Sequence, residues 1–227
     1  MRKTKDYRKL LGFTNGTKAK EFLTAKDIVM INWPLVEAYN ERLVETFSLI
    51  QNTLPCESID IGLIVENAYQ IIRNENILPR LSNHGRAPES VYFVWMQGYL
   101  SATIFQPLIE NELDCKLIQN GADDLSDPSN FGRKSDPDLA DHDKKIYVEV
   151  QSGFKGSKVD IKKSKVKESS DYTHYIACFD CYNGLYTIIN TRQLLSLPDS
   201  EWYHNPLWEG ALCYTVPHDK MKKWKVA

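Results

Sequence analysis

The residues best suited to chemistry lie in two short stretches, Ser135-Asp136-Pro137-Asp138-Leu139 and Tyr147-Val148-Glu149-Val150-Gln151. Glu149 and Gln151 stand two apart, so on a strand both side chains leave the same face. Asp138 lies eleven residues before Glu149, a spacing that a short pair of strands closes. Two carboxylates brought together repel, and each takes up a proton unless a cation offsets the charge. Oxygen ligands suit Mg²⁺, which binds one or two carboxylates, keeps several waters and takes further ligands from substrate phosphate. Such a centre is built for hydrolysis: the ion makes water more acidic and shields phosphate charge.

A cationic stretch follows at once. Lys155, Lys158, Lys162, Lys163, Lys165 and Lys167 are opposed only by Asp160 before Glu168. An acidic, metal-ready centre beside a lysine ridge suits a polyanionic phosphodiester better than a small neutral substrate. Lys155, Lys158, Lys162 and Lys163 are therefore candidate contacts to DNA phosphates.

Positioning these groups requires a sheet. Ile146, Val148 and Val150 alternate with Tyr147, Glu149 and Gln151, the period of a strand with one apolar and one polar face. Cys115–Gln119 and Asp138–Ala140 read as strands before it, with a turn at Asp141-His142-Asp143. Tyr175–Phe179 and Leu185–Asn190 read as strands around a turn at Asn183-Gly184. Helical spacing of apolar residues predicts helices over Trp33–Gln51 and Ser58–Asn74. Pro34 suits the first turn of one and Asp60 or Ser58 caps the other. A third helix is predicted over Pro88–Leu113, with Pro107 a point where it kinks or ends. The lysine-rich Ser157–Ser170 reads as a further helix. The chain thus divides into an N-terminal helical region (1–87), a mixed core (88–195) and a C-terminal extension packed on that core (196–227). The fold class is α/β, in the form of a mixed α+β sheet flanked by helices.

Pro137-Asp138 followed by Glu149-Val150-Gln151 resembles the signature of PD-(D/E)xK nucleases, with Gln in place of the final Lys. That Glu-x-Gln variant occurs in some type II restriction endonucleases, and the resemblance covers roughly residues 88 to 190. It implies a restriction-endonuclease-like core and Mg²⁺-dependent hydrolysis of double-stranded DNA at a palindromic site, leaving 5′-phosphate ends. A homodimer is implied, so that each subunit cuts one strand. By position, Asp138 and Glu149 would be metal ligands and the Val150 carbonyl a third. Gln151 would orient the attacking water. Glu89, in Pro88-Glu89-Ser90, matches an acidic residue that the preceding helix often adds. A neutral amide at position 151 can only hydrogen-bond, where a lysine could stabilise developing charge. A repair or junction-resolving nuclease of the same fold, or a non-catalytic DNA-binding module, is the alternative.

The same residues also fit plainer roles. Asp138 and Glu149 fit ordinary strand positions, Glu89 favours a helix N-terminus through the dipole, and a lysine run is usually a wet surface. Cys178 and Cys181 form one CxxC, which suits core packing better than zinc in the absence of a second pair. Composition sets the outer limits. The chain is 42% hydrophobic and 26% charged with a formal net charge of −2, which excludes wholesale disorder and a uniformly basic coat. No window approaches 18 apolar residues, so no membrane partner is expected. The charged start Met1-Arg2-Lys3 and the odd number of cysteines predict a cytoplasmic, reduced protein. No Walker or Rossmann glycine pattern is present, so no nucleotide cofactor is expected.

Overall fold

Asn32 and Asp60 decide where the first two helices begin. In the computed structural model, which describes residues 31–78, 87–120, 136–154, 159–206 and 210–224, the Asn32 side chain accepts from the Leu35 N–H and opens α1 (Trp33–Gln51). Asp60 does the same for the Leu63 N–H and opens α2 (Ile61–Asn74). Each cap satisfies a backbone donor that the first turn leaves without a partner. α3 spans Pro88–Leu113 and ends at Asp114, which adopts the left-handed conformation at φ 50. It continues through Pro107, so the expected early stop does not occur. One stripe of α1 (Val36, Leu43, Phe47) and the length of α3 from Tyr92 to Ile109 are buried together.

The strands form two sheets. The larger runs β1 (Leu117–Gln119), β2 (Leu139–Asp141), β3 (Ile146–Gly153), β5 (Thr173–Asp180), β6 (Leu185–Asn190) and β9 (Lys222–Lys223), in that spatial order. All neighbours are antiparallel except β3 and β5, which are parallel. The smaller sheet is β4 (Val159–Lys162), β8 (Ala211–Val216) and β7 (Tyr203–Asn205). A short helix, α4 (Thr191–Leu195), follows β6. The α/β expectation, with an N-terminal helical region beside a mixed sheet, is what the chain adopts.

The two faces of the large sheet serve two cores. Val148, Val150, Ala177 and Phe179 face α1 and α3. Ile176 and Cys178, on the other face, pack against Val159 and Ile161 of the small sheet. Parallel strands need a crossover, usually a helix, and the sequence reading placed one at Ser157–Ser170. The structure corrects this. From Val159, its first described residue, the segment forms β4 and a single 3₁₀ turn at Lys163–Lys165. Val159 and Ile161 alternate inward while Asp160 and Lys162 point outward, and burying two β-branched residues outweighs the helix preference of the lysines.

The C-terminal extension is integral to both cores. β8 completes the small sheet, and Trp224 inserts into the larger core. Its ring centroid lies 5.7 Å from Phe105 and 6.4 Å from Phe179. Its Nε1–H donates to Thr53 Oγ1 at 3.1 Å. The Gly184 carbonyl accepts its backbone N–H at 3.2 Å. Gly184 itself takes φ +66 at the β5–β6 turn, a conformation open to glycine at little cost. Among the described residues, no helix is long and apolar enough to cross a membrane.

Candidate active site

β2 and β3 pair Leu139 with Val148 and Ala140 with Tyr147. Continued by one step, that register sets Asp138 opposite Glu149, and opposed residues of an antiparallel pair share a face. The Asp138 segment is held from the other side by Asn120. Its backbone N–H donates to the Asp138 carbonyl at 2.9 Å, and its side-chain amide donates to the Pro137 carbonyl at 2.8 Å. The Asp138 Oδ2 accepts the Val150 N–H at 2.6 Å. A strand residue presents its N–H and C=O toward the same neighbour, so the Val150 carbonyl faces the Asp138 edge too. The sequence set Asp138 near Glu149 by spacing and added Val150 through the nuclease resemblance; in the fold Asp138 and Val150 are joined by the bond just described.

Glu149 is 4% exposed. The polar face of β3 lies beneath the segment that crosses from β4 to β5, and this is where the lysines matter. Lys165 Nζ approaches Glu149 Oε1 at 2.7 Å. Gln151 Nε2–H donates to the same oxygen at 3.1 Å. A buried carboxylate needs a cation or several donors close by, and here it has one of each. In the sequence Lys165 is one member of the lysine run and no candidate for the site; the fold turns it onto the acidic centre. Only the Val159–Ile161 alternation signalled that the segment is a strand able to carry it there.

The other sequence candidates fall elsewhere. Glu89 is buried, but its Oε1 accepts the Asn32 N–H at 2.7 Å. It therefore ties the start of α3 to the start of α1. It lies about 18 Å along the helix axis from Ser101, the residue whose hydroxyl meets that of Ser152 on β3 at 2.8 Å. No bond joins Glu89 to the Asp138–Glu149 group among the described residues. Lys162 ends β4. Lys163 pairs with Asp199 at 3.2 Å and lies 5.1 Å from the Trp202 ring. Lys155 and Lys158 lie outside the described residues. Cys178 is fully buried and Cys181 partly so; burial raises both thiols, Cys181 to about 12. Protonated core thiols suit packing and not zinc.

His174 sits on the same face, paired with Tyr147 across β3 and β5. It is 3% exposed, and neither ring nitrogen makes a hydrogen bond of normal geometry. Burial first, then the positive charges of Lys167 and Lys165, push its pKa down to about 4. The native state therefore refuses a proton that the unfolded chain accepts near pH 6.5. Stability from this residue is present above pH 6.5 and is lost as the pH falls toward 4, by about 3 kcal/mol in total. His174→Leu should flatten the fall in thermal midpoint between pH 6.5 and 4. A slope equal to the wild type's would assign that loss to other groups.

Among the described residues, no three or more His, Cys, Asp or Glu side chains are grouped to hold a metal. The oxygen set is two carboxylates and one carbonyl, which suits Mg²⁺ completed by water and substrate. The ammonium of Lys165 supplies the positive charge that the buried Glu149 carboxylate needs in this structure. No family profile, curated protein or solved structure matches the chain.

Proposed function

We propose that the chain is a Mg²⁺-dependent endonuclease of the type II restriction kind, cutting double-stranded DNA at a palindromic site as a homodimer. The observation that carries this reading is the β2–β3 register, which continued one step past Leu139 and Val148 sets Asp138 opposite Glu149, together with the Val150 N–H held by Asp138 Oδ2. Asp138, Glu149 and the Val150 carbonyl would hold the ion. Bound there, Mg²⁺ supplies charge neutralisation and makes water a better nucleophile at neutral pH. Asn120 fixes the Asp138 segment, and Gln151 holds the Glu149 carboxylate in place. In the reaction a water oxygen bonds to phosphorus as the P–O3′ bond breaks. The water gives up a proton to solvent and the 3′-oxygen takes one up, leaving a 5′-phosphate and a 3′-hydroxyl. Two-fold symmetry of a dimer matches the dyad of a palindrome, one active site per strand. Lys162 and Lys163 stand on the segment that leads from β4 to Lys165, where Lys163 is already paired with Asp199, and they would add charge to the phosphate path only at its edge.

One observation favours a second reading. Glu149 already has a cationic partner in Lys165, as a degenerate, non-catalytic DNA-binding module would also need. Incubation with a long, fully sequenced DNA decides between them. Discrete fragments with 5′-phosphate ends, formed with Mg²⁺ and absent with EDTA, are the expected result. A smear would replace site specificity with nonspecific cleavage. Intact DNA that shifts on a gel would favour the binding module, and intact, unshifted DNA would end both readings.

A further inference from the structure

We infer that Lys165, delivered from the turn after β4, is a catalytic residue of this site and supplies there the cationic donor that Gln151 cannot. The inference rests on the nuclease reading above and deepens it.

Three observations converge. The Lys165 ammonium and the Gln151 amide both reach one atom, Glu149 Oε1, at 2.7 and 3.1 Å. A lysine at position 151 would therefore bring its head group to the place that Lys165 already occupies. Second, the pair spans the boundary of the molecule. The Glu149 side chain is 5% exposed and that of Lys165 is 28%, so the amine sits between the covered carboxylate and the approach from solvent. Third, Lys165 is not on a loose tail. It follows β4, which is paired residue by residue with β8 from Val159–Val216 to Lys162–Cys213. Val159 and Ile161 anchor that strand in the second core.

The chemistry follows from the head group. An ammonium has three donors and a full charge, so it can hold Glu149 and a second oxygen together. As the water oxygen bonds to phosphorus and the P–O3′ bond breaks, negative charge builds on the phosphoryl oxygens. A fixed cation in a partly dry site lowers the energy of that arrangement. Gln151 offers a hydrogen bond but no charge. Lys165 stays protonated throughout, and the proton lost by water goes to solvent.

The test uses the full chain and four readouts: single-turnover cleavage, DNA affinity without Mg²⁺, the Mg²⁺ concentration for half-maximal cleavage, and the thermal midpoint. Lys165→Met should lower the cleavage rate about 10²- to 10³-fold, with DNA affinity and Mg²⁺ requirement little changed. Adding Gln151→Lys to that variant should recover at least about tenfold of the loss, because the new amine reaches the same oxygen. If Lys165→Met does not fold, Lys165→Arg keeps a counter-charge for Glu149, and its flat fork cannot replace a point contact. Its rate should fall with the thermal midpoint unchanged. Wild-type rates in either variant would overturn the inference, most clearly if Lys165→Met also needed less Mg²⁺, since Lys165 would then only hold the cation's place. A slow Lys165→Met variant with a lowered midpoint that Gln151→Lys does not rescue would reduce Lys165 to a structural support. A wild-type protein that never cuts DNA would instead remove the nuclease reading itself.

Discussion

Asp138→Ala and Glu149→Ala should each leave DNA bound and uncut, with cleavage reduced about 10³-fold or more, the scale seen when one catalytic group is removed. Asp138 directly precedes β2, and the register of β2 and β3 continued one step sets it opposite Glu149, so losing either carboxylate halves the negative charge available to a divalent ion. Affinity for DNA should hold or rise, because an anion is deleted beside the phosphate path. The two substitutions differ structurally. Asp138 also accepts the Val150 N–H, so Asp138→Asn is the gentler control. Glu149→Ala removes a buried charge together with the need for Lys165 to cover it, so the fold should tolerate it. Gln151→Ala loses one hydrogen bond from an uncharged amide to the Glu149 carboxylate and should cost only about tenfold. Parallel measurement of single-turnover rate and gel-shift affinity checks all three. If Gln151→Ala proved the most damaging, the assignment of roles would be wrong.

Trp224→Ala should be the most destabilising single change outside the site. The ring packs against Phe105 and Phe179 and covers Gly184, where an added Cβ would meet it at 3.5 Å. Its Nε1–H is committed to Thr53 Oγ1. Truncation therefore empties a joint shared by α1, α3, β5 and the β5–β6 turn, at a cost of about 3–5 kcal/mol. For a chain of this size that lowers the thermal midpoint by about 10 °C. Differential scanning calorimetry measures it directly. A shift of only a degree or two would mean that the C-terminal segment rests on the core without being part of it.

The parts legible in the sequence were those with local causes. α1, α2 and α3 follow from long runs rich in apolar residues with Pro34, Asp60 and Pro88 at their starts. β3 follows from eight residues in which period two is unbroken up to Gln151, and the Asp138–Glu149 opposition follows from their separation and that period. β4 was not legible. It is four residues long amid lysines, too short for a period to declare itself, and it depends on β8, whose nearest paired residue lies beyond position 210. Its misreading as a helix carried Lys165 with it, away from Glu149. Glu89 failed for a similar reason. Its partner, the Asn32 N–H, is 57 positions away, and nothing near Glu89 announces it.

The pairing of β4 with β8 also bears on timing. Lys165 reaches its place only when β4 has a partner, and that partner, β8, begins at Ala211, far later in the chain. Contacts between such distant segments form late. Until β8 is in place the acidic pair stands without its amine, so the surroundings of Glu149 close only after the second sheet has formed.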